Sequence, residues 1–242
     1  AFGALALIWR YDLYDKEPWW AILTAVALGV LGMHYIETPQ EILGGWIGNA
    51  PARFAFVASM SEESMKLLGV LVFALLISRV FNDPVDGMIY GSLIGLGCAI
   101  EESIAYYFNP ITQPWGPPTE IIRILGHLVF GGLTGFGIGL LRDPSIPRRH
   151  ASISFILGFA AAVLLHFLWD LLACRAYLRS TPTNLERAAQ VALMLAGFVA
   201  YAAALRHAWT HAQRRFQGQH WRRLLSSPKF RRRSLKPKNE VS

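Results

Sequence analysis

Between Ala52 and Val80 the chain carries an apolar run, RFAFVASMSEESMKLLGVLVFALLISRV from Arg53 onward, with Glu62, Glu63 and Lys66 in its interior. About 20 apolar residues suffice to cross the hydrocarbon core of a bilayer. An ionisable side chain at that depth costs at least ~2.5 kcal/mol on insertion scales, so such groups face a polar cavity, find partners and mark function. Other helices of the same chain must therefore enclose this one and bring polar groups to it.

The rest of the sequence supplies those helices. Of its 242 residues 53% are hydrophobic and only 16% charged, with a mean hydropathy of +0.34, the profile of a polytopic membrane protein. We expect an all-α bundle of about seven transmembrane helices. The first is the opening apolar segment that ends at Arg10, and the second runs from Trp19 to about Ile36, with Trp19 and Trp20 suited to a membrane interface. Residues 37–40, Glu-Thr-Pro-Gln, are expected to break it before a short interfacial segment and the charged span. Four more follow: Asp86 to about Phe108, Glu120 to Leu141, about Ala151 to Tyr177, and about Leu185 to His211. The turn FNDPVDG after Val80 is rich in turn formers, and Pro84 cannot continue a helix from the preceding residues. The chain opens without Met inside an apolar segment, so its start reads as truncated or processed. Neither Cys98 nor Cys174 suggests a disulfide framework, since both lie in or beside apolar runs.

The formal net charge of +7 comes from the end of the chain: eleven of the 23 Lys and Arg follow Leu205. This divides the chain into a membrane domain, residues 1–211, and a basic tail, residues 212–242. The tail reads as a cytoplasmic segment lying against anionic lipid, where each cation is worth ~1 kcal/mol; nucleic acid is the weaker reading. Arg142, Arg148 and Arg149 share one short loop, whereas the loop at 109–119 has no Lys or Arg, which also places the C-terminus inside. Arg175, Arg179 and Arg187 oppose that orientation but are outnumbered by the tail.

In this topology four spans carry carboxylates or imidazoles to a similar depth in the outer half: Glu62, Glu102, His127, and His166 with Asp170. At ~1.5 Å of rise per residue each lies within about eleven residues of its outer end. His166 and Asp170 stand at i and i+4, on one helix face, so Asp170 can orient the imidazole; Glu62 and Lys66 share the same spacing and read equally well as an internal ion pair. His34 and His207 read as ordinary hydrogen-bonding residues. Gly87, Gly91 and Gly95 on one span and Gly131, Gly135 and Gly139 on the next let two backbones approach and bring Glu102 and His127 into register.

Such a pocket offers two hydrolytic chemistries. In one a glutamate acts as general base on water while His or Lys donors stabilise an oxyanion. In the other Glu and His hold a metal such as Zn²⁺, which lowers the pKa of its water. The first needs fewer assumptions, because no HExxH motif is present. The rival class is a proton-coupled transporter or channel, whose relays use the same residue types, although no inverted repeat or pair of broken helices points to it.

The motifs EESMK (Glu62 to Lys66), DPVDGMIYGSLIGLGCAIEESIAYY, RILGHLVFGGLTG and HFLWD (His166 to Asp170), preceded by YDLYDKEPWW, together resemble the PrsW family of intramembrane proteases, which belongs with the CAAX-processing endopeptidases. The likeness runs from about Arg10 to Leu172. It implies hydrolysis of peptide bonds in membrane-anchored, single-span proteins of a bacterial inner membrane, with anti-sigma factors as a substrate class and the cut on the extracytoplasmic side. It implies as catalytic residues Glu62, Glu63, Lys66, Glu102, His127, His166 and Asp170, with Glu62, Glu63, His127 and His166 as ligands where a metal is used. Glu62 or Glu63 would activate water, the histidines would position it or stabilise the oxyanion, and Glu102 and Asp170 would hold those groups in place. Cys98 and Ser103 depart from the family's second motif, which leaves Glu101 to be told from Glu102, and Asp170 stands where relatives often carry Asn.

Overall fold

A computed structural model describes residues 17–47, 50–108, 116–178 and 182–226. These residues form six helices and no strand: α1 (Trp19–Ile47), α2 (Pro51–Leu76), α3 (Pro84–Phe108), α4 (Gly116–Arg142), α5 (Arg148–Leu178) and α6 (Asn184–Ser226). The all-α architecture agrees with the sequence, but the count among the described residues is six rather than seven, because the opening segment up to Arg10 lies outside them. Five helices are long and apolar enough to cross a membrane. The sixth, α2, carries Arg53, Glu62, Glu63 and Lys66, and it lies among the others.

Three expected boundaries move. Residues 37–40 do not break α1, which continues through Pro39 to Ile47. A proline removes one backbone donor, a loss that membrane helices tolerate where neighbours take up the freed groups. Here α1 packs along α2, and Ser61 donates to the Gln40 side chain beside the proline at 3.3 Å. The charged helix ends at Leu76 instead of Val80, and the amides of Val80 and Phe81 both turn back to the Ile77 carbonyl at 3.1 Å. In the turn that follows, Asp83 Oδ1 accepts from the amides of Val85 and Asp86, and Asp86 Oδ2 accepts from those of Asn82 and Asp83. Reciprocal capping with Pro84 in the first turn starts α3 sharply. Thr183 and Glu186 form the equivalent box at α6: the Thr183 hydroxyl accepts from the Glu186 amide and the Glu186 carboxylate accepts from the Thr183 amide. From there α6 runs past His211 into the basic segment as far as Ser226.

The centre of the bundle is the antiparallel pair α3 and α4. A Cβ added to Gly91 would collide with the Gly131 carbonyl oxygen, and one added to Gly95 with the His127 carbonyl oxygen. Only glycine permits that approach, as small residues do at close helix crossings in membranes. This register places Ala99 and Glu102 opposite Arg123 and His127. A second crossing not foreseen in the sequence, Gly29 against Gly97, seats α1 on the other side of α3. Helices α2 and α5 close the remaining sides, so that α2 lies against α1, α3, α4 and α5. At the turn between α2 and α3, Phe73, Phe81 and Tyr90 form an aromatic cluster, with 4.2 Å between the Phe73 and Tyr90 ring centroids.

Candidate active site

Four helices deliver polar side chains to one buried cluster. Helix α2 contributes Glu62, Glu63 and Lys66, α3 Glu102, α4 His127, and α5 His166 and Asp170. Lys66 and Glu63 are wholly excluded from solvent, and Glu62, His127 and His166 nearly so. Burial of this kind is tolerable only when the groups satisfy one another.

They do so as two parallel chains of cation, carboxylate and imidazole. In the first, Lys66 Nζ donates to Glu63 Oε1 at 2.5 Å, and the same oxygen lies 2.8 Å from His166 Nδ1. In the second, Arg123 donates to Glu102 Oε2, which lies 3.0 Å from His127 Nε2. The carboxylates accept, so the bonded ring nitrogen of each neutral histidine carries the proton and the other presents its lone pair. The rings approach edge to face with centroids 5.3 Å apart, and Phe130 stacks on His166 at 5.4 Å.

Three buried acceptors of the cluster have no hydrogen-bond partner, Glu62 Oε2, Glu63 Oε2 and His127 Nδ1, and of their residues Glu62 and His127 belong to the convergent centre. His166 Nε2 lies 3.7 Å from Glu62 Oε2 and 3.4 Å from Asp170 Oδ2. One ligand atom from each of Glu62, His127 and His166 falls within 4.8 Å of the other two. Asp170 stands at the rim, with 21% of its side chain exposed against 5% for Glu62 and 0% for Glu63.

All seven residues singled out in the sequence therefore meet, but not on equal terms. Glu63 faces the outer nitrogen of His166 and is not part of the convergent set, whereas Glu62 is. Glu101, adjacent in sequence to Glu102, turns away and pairs with His34 at 2.8 Å. His207 lies against Phe136, far from the cluster in the chain. Ser103 joins the outer network by donating to Glu120 at 3.0 Å. The sequence reading assigned no role to Arg123. Its signal was available: a cation inside an apolar run, four residues before His127 and so on the same helix face.

A sequence profile described as "PrsW family intramembrane metalloprotease" matches residues 17–212. The chain belongs to the PrsW family. Among its relatives is the Protease PrsW of Geobacillus kaustophilus (strain HTA426), 31% identical over 173 residues that cover 69% of this chain and 72% of the relative. The Protease PrsW of Bacillus subtilis (strain 168) is 27% identical over 172 residues, 69% of this chain and 75% of that protein. That of Oceanobacillus iheyensis is 28% identical over 174 residues, with 69% and 77% covered. No solved structure matches. As a PrsW member the protein is a multi-pass membrane protease, and the transporter reading falls away.

The PrsW family's description implies a metal, and the cluster has the donors to hold one. Two imidazoles and a carboxylate are ordinary zinc ligands. Here one ligand atom of each converges with the other two, and each imidazole has a carboxylate on one nitrogen, the arrangement that commonly orients metal-bound histidines. The residues present fit the group.

Proposed function

We propose that the protein is a zinc-dependent intramembrane endopeptidase in which Glu62, His127 and His166 hold the metal and Asp170 is the general base. The observation that carries this reading is the pair of buried acceptors, Glu62 Oε2 and His127 Nδ1, left without a partner beside His166 Nε2. With both imidazoles neutral, their protons face outward to Glu63 and Glu102. Three inward acceptors repel one another and cannot stabilise an oxyanion, which needs donors. They suit a cation. This is the ground for preferring the metal over the metal-free glutamate chemistry that the sequence alone favoured, and it moves the base from Glu62 or Glu63 to Asp170.

When bound, the metal would acidify a water and polarise the scissile carbonyl. Asp170, the most exposed carboxylate of the cluster and 3.4 Å from His166 Nε2, would take a proton from the attacking water. The water oxygen adds to the carbonyl carbon, and Asp170 returns the proton to the departing amine nitrogen as the C–N bond breaks. Lys66 with Glu63 and Arg123 with Glu102 keep the two imidazoles in place throughout.

The substrate class we propose is a single-span membrane protein, with anti-sigma factors as the type implied by the sequence resemblance. The cut would lie on the extracytoplasmic side of a bacterial inner membrane and the C-terminus in the cytoplasm, because Glu102 and His127 lie toward the ends of α3 and α4 remote from the basic tail.

The test is metal analysis of the purified full chain combined with cleavage of a single-span substrate. About one zinc per chain, loss of cleavage with a chelator and recovery with Zn²⁺ are expected. Full cleavage by metal-free protein would return the mechanism to Glu62 as a base.

A further inference from the structure

Arg123 lies one helical turn before His127 on α4, and only 9% of its side chain is exposed. A guanidinium so deep is stable only if its donors are answered. Nε donates to Glu120 Oε1 at 3.3 Å and Nη1 to Glu102 Oε2. Nη2 is shared by Glu120 Oε2 at 2.7 Å, the Ala99 carbonyl at 3.2 Å and the Ser103 hydroxyl. The face of the group is covered by Tyr106, whose ring centroid lies 5.2 Å from Cζ. All three nitrogens are thus engaged by groups of α3 and α4, and the fork is directed at carboxylates rather than at the centre of the cluster.

We propose that Arg123 is a positioning residue for the reaction: it locks Glu102, and Glu102 fixes both the ring orientation of His127 and the nitrogen that carries its proton. Without the guanidinium, Glu102 would be a buried carboxylate answered only by the neutral donors of the His127 imidazole and the Tyr106 hydroxyl. It would turn toward another donor, and His127 would lose the contact that holds its Nδ1 toward the centre. Lys66 holds Glu63 against His166 in the same sense, but with a point charge. Arg123 adds the planar fork, and so ties Glu102 to Glu120 and to the backbone of α3 at one stroke. The Gly95 contact on His127 makes this possible, since it sets α3 and α4 close enough for Arg123 to reach the Ala99 carbonyl.

This inference rests on the metal-holding role proposed for His127, and the experiment separates the two. Arg123→Gln, Glu102→Gln and the double variant are prepared as full chains in detergent. For each we would measure Co²⁺ affinity from visible absorption, kcat and KM on a single-span substrate, and Tm. Arg123→Gln is expected to weaken Co²⁺ binding and lower kcat by about 10- to 100-fold, the usual cost of losing an outer partner of a metal-bound histidine, with KM within about twofold. In the Glu102→Gln background the same change should add less than about threefold, since nothing remains to be positioned. Arg123→Lys should recover part of the loss. Wild-type affinity and kcat in Arg123→Gln overturn the proposal, as do effects that add independently of Glu102. If Arg123→Gln does not fold, the double variant, which removes both charges, carries the test against Glu102→Gln alone. A wild-type protein that neither binds Co²⁺ nor needs metal defeats the metal reading, while the kcat cycle still decides whether Arg123 acts through Glu102.

Discussion

Glu63 Oε1 lies 2.8 Å from His166 Nδ1, while the oxygen that its sequence neighbour Glu62 leaves unpartnered lies 3.7 Å from the opposite nitrogen of the same ring. Adjacent residues on a helix diverge by about 100°, and here the imidazole stands between them. One carboxylate is therefore an outer support and the other an inner ligand. Glu62→Gln is expected to abolish stoichiometric zinc and reduce cleavage to background. Glu63→Gln should keep a metal site weakened by about 10- to 100-fold, with activity that returns as Zn²⁺ is raised. Metal titration of both variants decides; equal and unrecoverable loss in each would erase the distinction.

Lys66 is answered by Glu63 at 2.5 Å, with both side chains fully buried. Removing one partner of such a pair leaves an uncompensated charge and costs about 3–5 kcal/mol, whereas removing both is far milder. Lys66→Met should thus lower thermal stability more than the double change Glu63→Gln with Lys66→Met, although the double variant has lost more polar contacts. Tm of the two in the same detergent checks this, and a double variant less stable than the single one contradicts it.

Asp170 is four residues after His166 and has two available roles, to orient the ring or to carry a proton. They predict different losses. As a base, Asp170→Asn should lower kcat by about 10²- to 10⁴-fold with zinc content and KM unchanged. As an orienting group it would loosen the metal instead. Steady-state kinetics with metal analysis on one preparation separates them, and the proposed mechanism expects the first result.

How much of this was legible in the sequence follows from the range of the interactions involved. The EESMK run, the spacing of His166 and Asp170 and the two glycine ladders are periodic within single helices, and helical geometry alone implies which faces they share. The choice between Glu101 and Glu102 depends on whether the facing helix is α1 or α4, so it needed the Gly29–Gly97 and Gly95–His127 crossings. The division of labour between Glu62 and Glu63 likewise depends on where α5 places His166. Pro39 misled for the opposite reason: proline's local preference to end a helix was overridden by packing against α2.

The glycine ladder itself gives the last test. A Cβ on Gly87 would strike the Gly135 carbonyl oxygen, and a Cβ on Gly95 that of His127. Both alanine variants must push α4 away from α3, and overpacking of this kind costs about 1–3 kcal/mol, so a similar fall in Tm is expected from each. Their effects on catalysis should differ. The displacement at Gly95 occurs at the backbone of the histidine itself, where a misplacement of about 1 Å can cost 10²-fold in rate; at Gly87 it is absorbed two turns away. Gly95→Ala should therefore lose at least about tenfold in kcat, whereas Gly87→Ala, assayed below its Tm, should stay within about threefold of wild type. Equal kcat in the two variants would mean that His127 is held by its side-chain partners alone and that the helix crossing serves only to pack the bundle.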